Sequence, residues 1–435
     1  MTLLYTFYAD DFTGATDVLE QLASNGISSV LFLATPTPDQ LAAFPEAQAV
    51  GIAGDSRSQS PQWMSAHLPD IFTALKAMKA PLVHYKVCST FDSSPTHGSI
   101  GRAIEVGMKI FKPSFVPVVV GAAHLRRYVV FGNLFASAPD GITYRIDRHP
   151  MSRHPITPMR EADLRAHLRH QTTLPVGLVD FAALRSGNAS ETLNAEIAAG
   201  KHIVLFDTLD NESLEAVGEA LWQEARRCPL FSASSSGLTG ALLSAMRTEG
   251  LLPMRAPASP VEKSRPLLVV SGSCSEATER QLRYALARDF AGIAVDPKAL
   301  LDTVTASSVR AATLQSALAS LAHGNDTILY TTLGLPAALA LGNELGDALG
   351  SLLHEIIERA AVRRVLLCGG DTASHAVQQL GLYALTWLGN LQPGAPLCRA
   401  HATLPHSALQ SLELVLKGGQ VGTDDFFDVV RGVSR

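Results

Sequence analysis

The chain has 435 residues, of which 47% are hydrophobic and 17% charged, and its formal net charge at pH 7 is -5. This composition is typical of a compact enzyme with a buried sheet, and the length predicts two large domains. The acidic balance leaves no basic field for nucleic acid, and no apolar run is long enough to cross a membrane. The five cysteines lack paired C-x-x-C spacing, so neither a zinc site nor a disulfide scaffold is indicated, and a cytoplasmic location is expected.

The first 250 residues alternate short apolar runs with amphipathic stretches, a pattern that predicts strands and helices of a largely parallel sheet. The first strand is predicted over residues 3–8 and its helix over residues 13–25, where apolar side chains share one face and an Asn-Gly pair follows. Further strands are predicted over residues 29–33, 49–53, 82–87, 116–120, 177–180 and 203–207.

A proline-rich segment separates the two domains. Four prolines between residues 251 and 266 cannot sustain a helix or a central strand, so this segment is predicted to be a linker. Beyond it, the strand-then-helix pattern returns, with strands predicted over residues 267–270, 292–295, 327–330 and 364–367. The sequence therefore predicts an α/β fold with a first domain over residues 1–250 and a second over residues 267–435.

The first predicted strand ends in an acidic pair, Asp10 and Asp11, directly before Thr13 and Gly14. In an open α/β sheet these side chains lie at the edge where ligands bind, beside a helix N-terminus. The pair is either an ordinary helix-capping turn or a source of carboxylates that accept a proton from a hydroxyl group. Charged and hydroxyl groups at other strand ends favour the second interpretation.

Two cationic residues lie at or just after the ends of predicted strands. Arg57 follows the strand over residues 49–53, and Lys86 lies near the end of the strand over residues 82–87. Both can hold a substrate carboxylate, and Arg57 offers bidentate geometry. The groups that follow, at Ser89, Thr90 and Asp92, suit the hydroxyls of such a substrate.

Two further segments extend this pattern. Arg126 and Arg127 follow residues 116–120 and are either part of the same site or a solvated basic pair. Residues 149–159 are too rich in proline for regular structure and are predicted to form a shaped loop. Its His154, taken alone, is of a type that is more often structural than catalytic.

The second domain contains three predicted turns rich in Gly and Ser. Two follow predicted strands, over residues 271–275 and 369–372, and the third lies late in the chain, over residues 417–422. Such turns present N–H and hydroxyl groups to phosphate, although backbone geometry alone also favours Gly and Ser there. The chain has neither the G-x-x-x-x-G-K-[ST] of a P-loop enzyme nor a G-x-G-x-x-G after the first strand.

Together these motifs resemble the four-carbon acid sugar kinase family over nearly the whole chain. The A-D-D-x-T-G-A segment of the family is matched by residues 9–15, and K-x-C-S-T-F-D-S, with one inserted residue, by residues 86–93. The H-P-[IL]-T-P-M loop is matched by residues 154–159, S-G-S-x-S by residues 271–275, and G-G-[DE]-T by residues 369–372.

The resemblance implies two α/β domains, the first for a sugar acid and the second for ATP, with the active site in a cleft between them. Asp10 and Asp11 become the catalytic candidates. The substrate-binding candidates are Arg57, Lys86, Ser89, Thr90, Asp92, Arg127, His154 and Thr157. The ATP-binding candidates are Ser271, Ser273, Ser275, Gly369, Gly370, Asp371, Thr372 and Gly419.

Two segments depart from the family pattern. The late K-S-G-x-F-G reads K-G-G-Q-V-G over residues 417–422, and P-x-N-G-R is replaced over residues 123–127 by a segment in which only Arg127 corresponds. The second departure implies that the substrate need not be the one most common in the family.

The implied activity is ATP-dependent phosphorylation of a hydroxyl group of a four-carbon or branched sugar acid such as 3-oxo-tetronate or threonate. Phosphorylation of a branched acid such as 3-oxo-isoapionate is the alternative. Mg²⁺ is expected to bridge the phosphates, with Asp371 as its partner or that of a water network, and Asp11 or Asp10 as proton acceptor. An oxidoreductase and a non-catalytic sensor of sugar acid and nucleotide are the competing interpretations. The sequence leaves the oligomeric state open, and a homodimer is compatible with it.

Overall fold

The computed structural model describes residues 3–138, 140–153, 157–252, 261–333, 342–404, 408–419 and 421–432. The chain divides into two compact units. The first comprises Met1–Ser29 and Thr37–Ala256, and the second comprises Val30–Pro36 and Pro257–Arg435. The last passage between the units, after Ala256, falls inside the segment predicted as a linker, whose residues 253–260 lie outside the described ranges. The other two passages flank Val30–Pro36.

The strands, in chain order, are β1 (Tyr5–Ala9), β2 (Ser29–Phe32), β3 (Ala49–Ala53), β4 (Leu82–Lys86), β5 (Val116–Val119), β6 (Arg127–Val130), β7 (Asn133–Ser137), β8 (Thr143–Arg145), β9 (Val176–Val179), β10 (Ile203–Phe206), β11 (Leu230–Ser234), β12 (Leu267–Ser271), β13 (Ala291–Ala294), β14 (Thr327–Tyr330), β15 (Arg364–Cys368), β16 (Leu382–Gln392), β17 (Ala395–Ala402) and β18 (Glu413–Lys417).

The α-helices are α1 (Phe12–Ser24), α2 (Pro38–Ala42), α3 (Pro61–Ala77), α4 (Ile100–Phe111), α5 (Leu164–Arg169), α6 (Phe181–Arg185), α7 (Ala189–Ala198), α8 (Asn211–Arg227), α9 (Ser236–Thr248), α10 (Glu276–Leu286), α11 (Pro297–Leu301), α12 (Ala306–Ala322), α13 (Gly342–Arg359), α14 (Gly370–Gln378) and α15 (Phe426–Val430). Short 3₁₀ helices lie at Ser56–Ser58, Ala123–Leu125, Ile146–Arg148, Pro150–Arg153 and Ala408–Ser411.

The first unit is built on parallel strands. Strands β11, β4, β1 and β3 are hydrogen-bonded in that order and all run parallel. Every residue of these four strands is buried, as expected for a parallel sheet covered on both faces. A second parallel sheet has the order β5, β10, β9, and β6, β7 and β8 form a small antiparallel sheet.

The second unit contains both parallel and antiparallel strands. Strands β18, β15, β12, β14 and β13 run parallel in that order, and β17, β16 and β2 continue the sheet beyond β18 with antiparallel pairing. Its core includes Val269, Ile328, Leu366 and Val415 from four of the parallel strands.

The predicted α/β class with largely parallel sheets is confirmed. Strands β6, β7, β8, β11 and β18 were not predicted. The antiparallel hairpin of β16 and β17 was not predicted, and its register shifts at several points, which obscures the simple alternation of side chains. Residues 29–33 were grouped with the first domain, whereas Val30–Pro36 belong to the second unit, because β2 pairs with β16.

The parallel register of the first unit positions the site. Ala9 at the end of β1 is paired with Ala53 at the end of β3 and with Lys86 at the end of β4. The segments that follow these three strands therefore start at the same edge of the sheet.

Candidate active site

The acidic turn caps the first helix. Asp11 is the N-cap residue of α1, and its Oδ1 accepts a hydrogen bond of 2.9 Å from the Gly14 N–H. Its Oδ2 accepts a bond of 2.6 Å from the Thr13 hydroxyl. Asp10 is buried, and its backbone N–H donates to the Lys86 carbonyl at 2.9 Å. The capping interpretation is thus correct for Asp11 and leaves a chemical role open as well.

Arg57 binds both aspartates. Its Nε and Nη2 donate to the two oxygens of Asp10 at 3.2 and 2.6 Å, and Nη2 also donates to Asp11 Oδ1 at 2.8 Å. We expected this guanidinium to offer a bidentate face to a substrate carboxylate. In the structure that face is used by Asp10, so Arg57 acts first as the residue that orients the acidic pair.

The pKa values of the two neighbouring carboxyls are shifted in opposite directions. Burial raises the pKa of Asp10, and the opposing charge of Arg57 does not fully compensate. Burial acts in the same sense on Asp11, but the charges of Arg57 and Lys86 and the bonds from Thr13 and Gly14 outweigh it and hold the pKa of Asp11 below its usual value. Environments that separate two adjacent carboxyls in this way are typical of catalytic sites.

Lys86 is the second cation of this cluster. The side chain is buried, and a Cβ added at Gly14 would lie 2.7 Å from its Nζ, so the amine packs directly against the acidic turn. Its positive charge favours ionisation of Asp10, Asp11 and Asp17.

Asp17, which the sequence analysis did not single out as a site residue, supplies a third carboxylate. It lies on α1, is buried, and accepts a hydrogen bond of 3.1 Å from Gln21 Nε2. Burial alone would raise its pKa, but His124 and Lys86 lower it to about 2. Its place in the early part of α1, directly after the acidic turn, is the signal that could have revealed it.

The loop after β4 brings several predicted residues to the same edge. Thr90 is buried, and its hydroxyl contacts Cys88 Sγ at 3.0 Å, while Ser89 is partly exposed. Phe91 adopts a left-handed conformation with φ of 59°, which is unusual for a bulky residue and concentrates at functional sites. Asp92 follows it and is 7% exposed.

The small antiparallel sheet carries Arg127 and the proline-rich loop carries His149. The Arg127 Nη1 donates to the carbonyls of Leu125, Arg126 and Ser137 at 2.9, 3.2 and 3.2 Å. His149 was part of the predicted loop but not of the predicted site, and it is buried.

Two further candidates belong to that loop. Thr157 is buried, and His154 lies outside the described residues.

In the second unit, the predicted phosphate-binding turns follow adjacent strands. Strands β12, β15 and β18 are neighbours and parallel, so the turns after them share one edge. The Gly272 N–H donates to the Cys368 carbonyl at 3.3 Å, and the Gly369 N–H donates to the Lys417 carbonyl at 2.9 Å. The structure therefore brings residues 271–275, 369–372 and 417–419 together.

Close packing of the three turns requires glycine. A Cβ at Gly272 would collide with Thr372 Oγ1, and one at Gly419 would lie 3.2 Å from the hydroxyls of Ser273 and Ser275. Gly369 has φ of 111°, in the region that favours glycine, and Gly370 begins α14.

Hydroxyl groups line the same turns. Ser275 is the N-cap residue of α10, and its hydroxyl also donates to the Gly419 carbonyl. The buried hydroxyl of Ser271 has no hydrogen-bond partner among the described residues. Asp371 lies in the first turn of α14.

Lys417, which the sequence analysis noted only as part of a motif, anchors the third turn. Its buried Nζ donates to Thr278 Oγ1 at 2.9 Å and to the Gly418 carbonyl at 3.1 Å. Burial lowers its pKa. Like Lys86, it ends a central parallel strand, and that shared position is the signal that sequence reasoning missed.

Metal and membrane features were searched in the same ranges. No cluster of three or more His, Cys, Asp or Glu side chains suited to a metal ion occurs among the described residues. None of the helices in the described ranges is long and apolar enough to cross a membrane.

Comparison with known proteins assigns each region a family. Residues 5–242 match the model of a sugar-binding N-terminal domain, and residues 268–427 match that of a nucleotide-binding C-terminal domain. The chain is 42% identical to a 3-oxo-isoapionate kinase of Paraburkholderia graminis, covering 99% of this chain and 94% of that protein. It is 31% identical to a 3-oxo-tetronate kinase of Cupriavidus necator, covering 97% and 94% respectively.

Two solved structures share the fold of this chain. A Salmonella typhimurium LT2 protein, provisionally described as a tRNA synthase, has a TM-score of 0.79 at 26% identity and 98% coverage of both chains. A Haemophilus influenzae protein of a family of unknown function, DUF1537, has a TM-score of 0.70 at 25% identity, covering 98% of this chain and 99% of that one. The acidic turn lies within the sugar-binding match and the glycine-serine turns within the nucleotide-binding match, and the chain belongs to the four-carbon acid sugar kinase family.

Proposed function

We propose that this protein transfers the γ-phosphoryl group of ATP to a hydroxyl group of a four-carbon or branched sugar acid. The observation that carries the proposal is the cluster of Asp10, Asp11, Arg57 and Lys86 at one sheet edge, inside the region matched by the sugar-binding domain. Phosphoryl transfer needs an acceptor for the hydroxyl proton and exact positioning, and this cluster supplies fixed carboxylates for both.

Asp11 is the better placed proton acceptor. Its side chain is 17% exposed, whereas that of Asp10 is 2% exposed and held by two donors of Arg57. The lowered pKa of Asp11 keeps it ionised at neutral pH, so it can accept a hydrogen bond from the substrate hydroxyl and then its proton as the new bond forms. Asp10 and Arg57 orient Asp11.

The nucleotide is assigned to the turns of the second unit. Backbone N–H groups at the start of α14 and the Ser271 hydroxyl, which has no partner among the described residues, are suitable donors to phosphate oxygens. The Ser273 hydroxyl donates to Ser275 and that of Ser275 to the Gly419 carbonyl, so we propose that these two hydroxyls rotate towards the phosphates when ATP binds. Lys417 holds the glycine turn through its bonds to Thr278 and Gly418, so its role is to position Gly419.

Magnesium belongs to this proposal because ATP-dependent transfer uses it to bridge the phosphates and neutralise their charge. Mg²⁺ in such sites is bound through one or two carboxylates together with phosphates and water. Asp371, in the first turn of α14, is the residue proposed as partner of the ion or of its water network.

The similarity to the 3-oxo-isoapionate kinase favours a branched acid over an unbranched tetronate as substrate. That relative is 42% identical to this chain, against 31% for the 3-oxo-tetronate kinase of Cupriavidus necator. The replaced segment over residues 123–127 agrees with a difference in substrate among family members.

A coupled assay of ATP consumption tests the proposal. The purified full chain with Mg²⁺ should consume ATP when 3-oxo-isoapionate is added. With 3-oxo-tetronate it should do so at lower kcat/KM, and threonate is assayed as the third acid. Nicotinamide-linked turnover should be absent. A chain that binds these acids and ATP without consuming ATP would instead be a sensor, and one that binds none of them would contradict the proposed function.

A further inference from the structure

Three buried polar atoms of the first unit are left without hydrogen-bond partners at one place. Asp92 Oδ1, Arg127 Nε and His149 Nε2 find no partner among the described residues. An unsatisfied buried polar atom is costly, so native proteins retain one mainly where a ligand or water completes it. The three side chains are near enough for their charges to act on one another, so together they can supply contacts to one bound ligand.

Arg127 and His149 are neighbours at the Ser137 carbonyl. That carbonyl accepts a bond from Arg127 Nη1 at 3.2 Å and lies near the His149 ring, but outside hydrogen-bonding geometry. With Nη1 held by three carbonyls, the orientation of the guanidinium plane is fixed. Its Nε is therefore a preorganised donor and not a mobile surface charge.

The tautomer of His149 follows from its local bond. The Met151 N–H donates to His149 Nδ1 at 3.2 Å, so Nδ1 carries no proton. Burial lowers the pKa of His149, and the charge of Arg127 acts in the same direction, which keeps the ring neutral. A neutral ring without a proton on Nδ1 carries it on Nε2, so the unpartnered Nε2 is a hydrogen-bond donor.

Asp92 supplies the complementary acceptor. The left-handed backbone at Phe91, whose ring is completely buried, fixes the loop that presents it. The charge of Asp92 acts on both Arg127 and His149, yet no ion pair joins Asp92 to Arg127 among the described contacts. The site therefore combines two fixed donors, one of them cationic, with one anionic acceptor.

We propose that Asp92, Arg127 and His149 form a subsite for the hydroxycarboxylate end of the substrate. Arg127 Nε and His149 Nε2 donate to the carboxylate, and Asp92 accepts from the adjacent hydroxyl. The assignment rests on the proposed function and adds a carboxylate contact to it, because Arg57, the expected bidentate clamp of the two cations, is occupied by Asp10 and Asp11. His149 becomes a specificity-determining residue of the sugar-acid site.

The test uses His149→Asn in the full chain. Asn keeps an acceptor near the Nδ1 position for the Met151 N–H but removes the distal donor, so the loop is preserved while the substrate contact is lost. We expect KM for 3-oxo-isoapionate to rise about 10-fold or more, the loss expected for a hydrogen bond to a charged group, with KM for ATP unchanged. Calorimetric titration of the acid alone should show the same weakening without turnover.

The carboxylate assignment is tested with Arg127→Lys, which keeps the charge but not the geometry of the guanidinium. Wild-type protein should strongly prefer 3-oxo-isoapionate over its carboxamide, and this preference should shrink in Arg127→Lys. Arg126→Met is the matched control, since Arg126 is the preceding residue and donates to Gly141 at the exposed surface.

The outcomes separate this inference from the function on which it rests. Failure of the wild-type chain to bind or phosphorylate any acid would contradict the proposed function. An active wild type would overturn the inference if His149→Asn left KM for the acid unchanged and Arg127→Lys left the preference for the carboxylate unchanged. Loss of thermal stability in these variants without any change in KM would mean that a buried water fills the position.

Discussion

Asp10 and Asp11 are adjacent in the chain yet are suited to different tasks. Asp10 is enclosed and bound by Arg57 through two donors, whereas Asp11 caps α1 and keeps part of its surface open. The difference arises because consecutive residues leaving a strand point in different directions. A single arginine can therefore fix one carboxylate and orient the other.

Asp11→Asn should abolish most of the activity while preserving the fold. Asn is as good an N-cap residue as Asp, so α1 should remain intact, but the amide cannot accept a proton at neutral pH. We expect kcat to fall about 10²–10⁴-fold, the range for loss of a general base. Steady-state kinetics with saturating ATP and sugar acid measure this.

The control for Asp11→Asn is ATP binding. The dissociation constant for a non-hydrolysable ATP analogue should stay within about twofold of wild type, since the nucleotide turns belong to the other unit. Near-normal kcat in this variant would remove Asp11 from the chemistry and direct attention to Asp10.

At the scale of elements, strand ends were the most predictable feature. Runs of apolar residues ending in small or charged groups correctly located β1, β4, β12 and β15, because a buried parallel strand requires nearly continuous apolar residues. Which strands pair with one another was harder to predict. That β2 joins β16 depends on contacts across 350 residues of chain, for which local pattern carries no information.

Side-chain partners were the least predictable feature of the site. The pairing of Arg57 with the aspartates could not be read from spacing, because an arginine near a sheet edge serves a ligand or a neighbouring carboxylate equally well. His149 was passed over for a similar reason. Its significance lies in a ring nitrogen that forms no hydrogen bond with a described residue, and the sequence does not show which polar atoms lack such a bond.

A buried histidine ties β1, β4 and β11 to α9 and makes the first unit sensitive to acid. His84 Nε2 donates to the Ser234 carbonyl at 2.8 Å, so its Nδ1 accepts from the Tyr5 hydroxyl at 2.8 Å, which in turn contacts Thr239 at 3.1 Å. Burial lowers the pKa of His84 to about 3. In the unfolded chain His84 therefore binds a proton near pH 6.5, whereas in the folded chain it binds one only at far lower pH.

The free energy of unfolding should accordingly fall as pH drops from about 6.5 towards 3, by up to about 1.4 kcal/mol per pH unit from this residue. In His84→Gln this contribution to the slope should disappear, whatever the stability of the variant at pH 7. Urea unfolding between pH 7 and pH 4.5 measures both slopes. His97→Gln, a change at an exposed histidine, is the matched control, and an equal slope in wild type and His84→Gln would refute the assignment.

At the scale of the whole molecule, the chain divides two kinds of chemistry between two units. The first carries fixed carboxylates and buried cations, which suit a polyhydroxy acid, and the second carries glycine and serine turns, which suit phosphates. Each unit is matched by its own family model. Neither set of groups accounts for phosphoryl transfer without the other, because the reaction needs the hydroxyl and the γ-phosphoryl group in line.

The most direct test of the account follows the phosphoryl group itself. The full chain is incubated with Mg²⁺, 3-oxo-isoapionate and ATP labelled in the γ-phosphate, and the label is separated into sugar-acid phosphate and inorganic phosphate. The account predicts that label enters the sugar acid in step with ATP consumed, and that Asp11→Asn loses this transfer while still binding nucleotide. Label found only in inorganic phosphate, or transfer that persists unchanged in Asp11→Asn, would contradict it.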